Sequence, residues 1–412
     1  MMKTKKWIAL ALTGIMLFGL TACNGSQTTE PQKPSENPGQ SEQNAAPVDY
    51  HIAASLPFGG KNATYAEYIK RGMEIALMHL EEDGGLNGEG GKILVDYFDD
   101  RDDAKEGSNI AEMIVSDDKY LLEVGSFASS VSLPCAQIYH EAQVPQYALT
   151  CSHSDFLGST DWGFSLSETQ NVAAARVAVW DVLYLKPESI ALIYSNDEWG
   201  NQCMTYYTQM VEKLGGNLVA SENYIAGSTN DFTSILTKFK QLDPDVVMCF
   251  CGEDDIVLIM QQADQLGFDA TFQVSSKSRT SNVLTNLGDL AEGLYGVYGA
   301  TKDMNNPVYA RYYDTYMKLY PEEKEKGTQK YADQGYNCML TIIWAIENGG
   351  TTRETFRDQL ATLHDFMGVQ GKISFAEGRK VITEQFLSIV ENGQWRNLSE
   401  EEVGFRVDDY LK

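Results

Sequence analysis

Residues 48–57 read Val48-Asp49-Tyr50-His51-Ile52-Ala53-Ala54-Ser55-Leu56-Pro57, an apolar run with the look of a strand. Residues 64–82 follow with Tyr65, Tyr68, Ile69, Met73, Ile75, Ala76, Met78 and Leu80 at helical spacing. Gly84-Gly85-Leu86-Asn87-Gly88 ends that helix, and residues 92–98 alternate as a second strand. The same rhythm continues outward. Residues 104–116 are helical, 120–125 a strand, 129–142 a helix and 144–148 a strand. Strands alternating with helices predict a parallel sheet covered on both faces. A second set starts near Ser167: helix 173–184, strand 189–194, helix 200–214, strand 217–224, helix 231–241, strand 245–251 and helix 254–267. Two successive α/β units predict two doubly wound parallel-sheet lobes. Ligands of such sheets sit beyond the carboxyl ends of the strands, and two facing lobes leave a cleft between them.

The chain has 412 residues, which is long for one core and suits two domains. Its 32 basic and 58 acidic residues give a net charge of −26. That balance argues against nucleic acid, which needs clustered cations, and against direct contact with anionic lipid. Five histidines make a His-rich metal centre unexpected. No cofactor and no metal are expected.

The first 22 residues carry an address. Lys3, Lys5 and Lys6 precede an apolar run from Trp7 to Leu20, too short to remain as a membrane span. The ending Leu20-Thr21-Ala22-Cys23 resembles the bacterial lipobox. The resemblance implies cleavage before Cys23, acylation of its thiol and amine, and anchoring of the mature chain to the outer face of the cytoplasmic membrane. An ordinary cleaved signal with a free Cys23 is the alternative. Residues 24–47 hold four prolines and little that is apolar, a composition that cannot offset its chain entropy and reads as a flexible tether. Cys135, Cys151, Cys203, Cys249, Cys251 and Cys338 form no CxxC pair; buried, reduced thiols fit the spacing better than disulfides.

Motifs for catalysis are mostly missing: no GxSxG, HExxH, GxxxxGK[ST] or GxGxxG after a strand. Cys151-Ser152-His153-Ser154-Asp155 contains the ingredients of a nucleophile cluster, yet sequence neighbours do not make a triad. Asp99-Asp100-Arg101-Asp102-Asp103 lacks the glycine and final glutamate of a calcium loop and reads as a solvated acidic turn.

An ordered set of segments is more informative. It runs from Leu56-Pro57-Phe58-Gly59-Gly60-Lys61-Asn62-Ala63-Thr64-Tyr65 and Lys70-Arg71-Gly72-Met73-Glu74-Ile75-Ala76 to Gly125-Ser126-Phe127-Ala128-Ser129-Ser130 and Ala136-Gln137-Ile138-Tyr139. Collinear over about residues 49–395, it resembles the leucine-binding, branched-chain amino-acid-binding family of solute receptors. The resemblance implies a type I periplasmic-binding fold whose lobes, joined by three crossovers, close on a small molecule and hand it to an ABC permease. The crossovers are expected near Ser167, Ala300 and Gly371, so that 49–166 with 300–371 form the N-lobe and 167–299 with 372–412 the C-lobe. A monomer is expected.

By the same resemblance, Ser129 stands at the family's carboxylate-binding serine, and Thr150, Cys151 and Ser152 at its second small, hydroxyl-bearing stretch. Hydroxyls and amides at a helix N-terminus suit a carboxylate. Ser129 also fits a plain helix cap. Tyr65 matches an aromatic that packs on the ligand, or is a core residue of its helix. Trp199 replaces a tyrosine that closes the cleft, and Glu168 and Gln170 lie near a hinge. One departure stands out. Where the family places an acid for the ligand ammonium, this chain has Ser276, with Lys277 and Arg279 close by. Either Glu253 or Asp254 supplies the missing carboxylate, or both merely offset a helix dipole. If neither reaches the cleft, Lys277 and Arg279 favour an anionic ligand. The family's N-lobe disulfide is lost, since Arg101 and Ala128 stand near its positions. A sensor for a small amide or organic acid on the same fold, and a hydrolase using Cys151, Ser152 and His153, are the competing readings.

Overall fold

A computed structural model describes residues 47–299, 303–324, 327–375, 379, 381–382 and 385–411. The expected signal, Cys23, most of the tether and the crossover at Ala300 lie outside these residues. The chain runs β1 (Tyr50–Leu56), α1 (Ala63–Glu82), β2 (Ile93–Asp99), α2 (Ala104–Val115), β3 (Tyr120–Gly125), α3 (Ser129–Glu141), β4 (Gln146–Tyr147), α4 (Phe156–Ser159) and β5 (Gly163–Phe164). These strands make one sheet in the order β2-β1-β3-β4-β5, parallel throughout. Its register runs from Tyr50 opposite Ile93 to Leu56 opposite Asp99.

The second unit follows: α5 (Gln170–Trp180), β6 (Ile190–Ser195), α6 (Glu198–Lys213), β7 (Leu218–Tyr224), α7 (Thr233–Leu242), β8 (Val246–Phe250), α8 (Glu253–Gln265), β9 (Thr271–Val274), α9 (Ser281–Leu287) and β10 (Tyr295–Tyr298). The chain then returns to the first lobe as α10 (Pro307–Leu319), α11 (Lys330–Glu347), α12 (Arg353–Ala361), β11 (Phe366–Gly368), β12 (Gly371–Phe375) and β13 (Val381–Ile382). It ends in the second lobe with β14 (Phe386–Glu391), β15 (Gln394–Asn397) and α13 (Glu400–Val403). The second sheet has the order β15-β14-β10-β9-β8-β6-β7. Its central strands are parallel, and β14 and β15 add an antiparallel hairpin against β10.

The two doubly wound lobes of the sequence reading are present, and the chain changes core three times. Leu166 is in the first core and Ala174 in the second; Val297 is in the second and Tyr309 in the first; Phe375 is in the first and Leu387 in the second. The third passage therefore falls later than Gly371, because Ile373 and Phe375 bury their side chains beside Tyr147 and Phe164 of the first core. The six cysteines from Cys135 to Cys338 are buried and unpaired. No helix among the described residues is long and apolar enough to cross a membrane.

On α1 the expected apolar face is rotated at one position. Met78 is 40% exposed while His79 is buried. Partners across the interface explain this: His79 Nδ1 lies 2.7 Å from the Tyr336 hydroxyl and Nε2 2.8 Å from Thr315 Oγ1. Helix α1 packs on α11 through glycines in both helices. A Cβ added at Gly72 falls 1.9 Å from the Ala332 carbonyl oxygen, and one added at Gly335 falls 2.1 Å from the Ile69 carbonyl oxygen. Backbone meets backbone, so no side chain larger than hydrogen fits.

Two predictions follow from this packing. Gly72→Ala should cost about 3 kcal/mol or more in urea unfolding, at the upper end of overpacking effects, whereas Gly158→Ala, with open space around it, should stay within about 0.5 kcal/mol. Equal costs at the two positions would contradict the close approach. The second concerns Glu123 on β3, which is buried beside Asp100; burial first, then the Asp100 charge, push its carboxyl well above the usual range. A carboxyl raised in the folded state stabilises below its unfolded pKa, and that contribution is lost as pH rises towards the folded value. Glu123→Gln should therefore gain on the wild type as pH rises above the usual carboxylate range, by up to about 1.4 kcal/mol per pH unit. A difference that does not change with pH would contradict it.

Candidate functional site

A cavity of about 160 Å³ lies between the lobes. It sits at the carboxyl ends of both sheets. From the first lobe come Lys61 and Asn62 after β1, Phe127–Ser130 after β3, and Thr150 and Ser152 after β4. From the second come Asp197 and Trp199 after β6, Phe250 at the end of β8, Ser275–Lys277 after β9, and Tyr298 at the end of β10. Helix α11 adds Lys330, Tyr331 and Gln334, the turn between β11 and β12 adds Gln370, and the passages between lobes add Leu166, Glu168, Gly299 and Gln385.

Contacts across the cleft hold the lobes together around it. Lys61 Nζ is 3.3 Å from Asp197 Oδ2, and Lys330 Nζ donates to the Ser276 carbonyl at 2.5 Å. The Glu253 N–H donates to the Tyr65 hydroxyl at 3.3 Å, and Gln370 Nε2 donates to the Tyr298 hydroxyl at 3.1 Å. His153 Nδ1 accepts the Asp155 N–H at 3.1 Å, which places its proton on Nε2, and Nε2 donates to Glu198 Oε1 at 2.9 Å.

Of the residues singled out from sequence, Ser129, Thr150, Ser152, Trp199 and Ser276 are on the cavity wall. Helix α3 is capped by Ala128, which offers no side-chain acceptor, so no side chain caps the amides of Ser129 and Ser130. Thr150 Oγ1 donates to the Phe127 carbonyl at 2.7 Å, leaving its lone pairs. Ser152 Oγ accepts Gln170 Nε2–H at 2.7 Å, leaving its proton. The Trp199 ring stands edge-on to Phe250 at 6.2 Å, and Lys277 Nζ lies 4.5 Å above it.

Five of the residues singled out are not on that wall. Tyr65 is one layer back, packed against Phe127 at 5.2 Å and Tyr331 at 4.7 Å, and those two rings line the cavity in its place. Cys151 is 1% exposed, with its Sγ 3.7 Å from Ser129 Oγ, in a small core with Phe156 and Ala148. Glu253 is buried at the start of α8, where burial pushes its carboxyl up to about 7 against hydrogen bonds from Asn282 and Thr280. Asp254 beside it is exposed, as a helix-dipole acid would be. Arg279 also misses the wall: its guanidinium is stacked between Tyr298 at 4.4 Å and Trp395 at 5.1 Å.

The nucleophile cluster does not assemble. Ser152 bonds Gln170 rather than His153, His153 turns to Glu198, and burial pushes the Cys151 thiol up. The acidic turn is used locally: Asp103 caps α2, and Asp102 accepts Asn62 Nδ2–H at 2.5 Å. Among the described residues no group of three His, Cys, Asp or Glu is placed to hold a metal ion.

Lys330, Tyr331, Phe250 and Tyr298 were missed by sequence reasoning. Burial pulls Lys330 down to about 7, with Glu253 opposing and Arg279 and Lys277 reinforcing the shift. One signal was available for it: a lysine in the first position of α11 opposes the helix dipole.

A family model described as periplasmic binding protein matches residues 49–394. The chain is 26% identical over 264 residues to the Leu/Ile/Val-binding protein homolog 1 of Brucella suis, covering 63% of this chain and 69% of that one. It is 27% identical over 262 residues to an amino acid binding protein of Pseudomonas aeruginosa, covering 61% and 68%. Among solved structures, a leucine-binding protein of Thermotoga maritima superposes with a TM-score of 0.74 at 23% identity, over 85% of this chain and 98% of that one. A branched-chain amino acid transporter substrate-binding protein of Streptococcus pneumoniae, in complex with isoleucine, gives 0.76 at 19%, over 84% and 97%. A solute-binding protein of an ABC transporter from R. palustris, in complex with benzoate, gives 0.76 at 15%, over 85% and 95%. With its two lobes, three passages and inter-lobe cavity, the chain belongs to the periplasmic binding protein family.

Proposed function

We propose that this protein is an extracytoplasmic solute-binding lipoprotein of an ABC importer. It holds an amino acid or a related small molecule between its lobes and delivers it to a membrane permease. The observation that carries the reading is the cavity itself, walled by both lobes and bridged by cross-lobe pairs. A ligand contacting both lobes binds the closed arrangement better than the open one, and that differential affinity is what signals loading to a partner. The relatives' names, and the isoleucine and benzoate in neighbouring structures, support a small molecule bearing a carboxylate. Acyl chains on Cys23 would keep the protein beside the permease and raise its effective concentration there.

A thermal-shift screen of the purified protein against amino acids, amides and small organic acids tests this reading. A ligand at about 100 times its Kd adds about 2.7 kcal/mol and should raise Tm visibly. Silence from every class would contradict it. The cross-lobe bond from His153 gives a sharper check. Glu198→Ala removes one hydrogen bond made only on closure, worth about 0.5–1.5 kcal/mol, and should weaken the best ligand roughly two- to tenfold. Unchanged affinity would mean that closure is not part of binding.

A further inference from the structure

We propose that the cavity takes a small carboxylate that carries no ammonium group, with its charge held by Lys277 and Lys330 and its apolar body among Phe127, Trp199 and Tyr331. This inference rests on the receptor reading and narrows its ligand class.

The first observation is the sign of the wall. Five helices begin at the cavity: Asn62 precedes α1, Ala128 precedes α3, Gln170 opens α5, Asp197 precedes α6 and Lys330 opens α11. Each directs the positive end of its dipole towards the same space. Three lysines, Lys61, Lys277 and Lys330, stand on the wall with them.

The second observation is the state of the acids. Among the described residues, Glu168 and Asp197 are the acids on the wall, and both are already engaged. Glu168 is forked to Arg176 at 2.8 and 3.3 Å. Asp197 accepts the Gly200 N–H at 2.9 Å and the Ser195 hydroxyl at 3.1 Å, and it pairs with Lys61 at 3.3 Å. The carboxyl of Glu253 is turned to Asn282 and Thr280. After β9 the wall presents Ser276 rather than an acid, and its carbonyl accepts Lys330.

A ligand ammonium would thus enter a space lined by cations and helix N-termini, where the described carboxylates are already paired with Arg176 and Lys61, and a buried charge without its own partner is strongly disfavoured. A ligand carboxylate meets the opposite situation. Lys277 rests on the Trp199 ring and Lys330 on a carbonyl, and each ammonium has further protons to donate. Burial pulls Lys330 down to about 7, and an anion beside it would favour the charged ammonium.

Matched pairs test the inference by calorimetry on the purified protein: 3-phenylpropanoate against phenylalanine, and 4-methylpentanoate against leucine, with 3-phenylpropanamide as the uncharged control. The amine-free acid should bind at least tenfold tighter than the amino acid in each pair, and tighter than the amide. Lys277→Met and Lys330→Met should each reduce the preference for acid over amide at least tenfold. Tighter or equal binding of the amino acid in either pair, or an acid preference that survives both substitutions, overturns the inference and leaves the receptor reading in place. Failure of all five compounds to bind removes the inference together with the reading as a receptor for small carboxylates.

Discussion

The close approach of α1 and α11 at Gly72 and Gly335 is the constraint on which the site depends. It lets the backbones of α1 and α11 touch, which joins the two sequence segments of the first lobe. Helix α11 begins with Lys330 and Tyr331, and its position on α1 is what places those side chains in the cavity. Tyr65, on α1, then packs against Tyr331 and Phe127 and fixes the aromatic wall from behind. A side chain at either glycine would move α11 outward, and the lysine and tyrosine with it.

Around that frame the electrostatics are inverted relative to the surface. The chain carries a net charge of −26, yet the space between its lobes gathers lysines and helix N-termini. Long-range repulsion by an acidic surface is screened within about 8 Å at physiological ionic strength, while charges in the cavity are screened much less. The local field therefore governs what is held. The aromatic rings of Phe127, Trp199, Phe250, Tyr298 and Tyr331 supply apolar area around it and lower the local dielectric.

The sequence was most legible where the chain repeats itself. Strand and helix periods were readable up to about residue 267, because each βα unit is local. Beyond it the chain leaves one lobe for the other twice, and local periodicity does not say which core a helix joins. The hairpin of β14 and β15 did have a readable mark in Asn392-Gly393, both at positive φ. In the site, Ser129, Thr150 and Ser152 were reached through the family resemblance, and they stand on the cavity wall. Tyr65 and Cys151 fell one layer short, since a position near the start of a helix or in a loop does not reveal which way its side chain turns. Glu253 was placed at the right helix end, but its burial against Asn282 and Thr280 is a tertiary fact. Lys330 comes from a distant segment, brought in by the packing of α11 on α1.

The most direct measurement is a crystal structure of the protein with a bound small carboxylate. The account predicts the ligand carboxylate between the lobes, with an oxygen about 2.7–2.9 Å from the ammonium of Lys330 or Lys277. A ligand whose ammonium is seated on Glu168 or Asp197, with both lysines turned away, would contradict it.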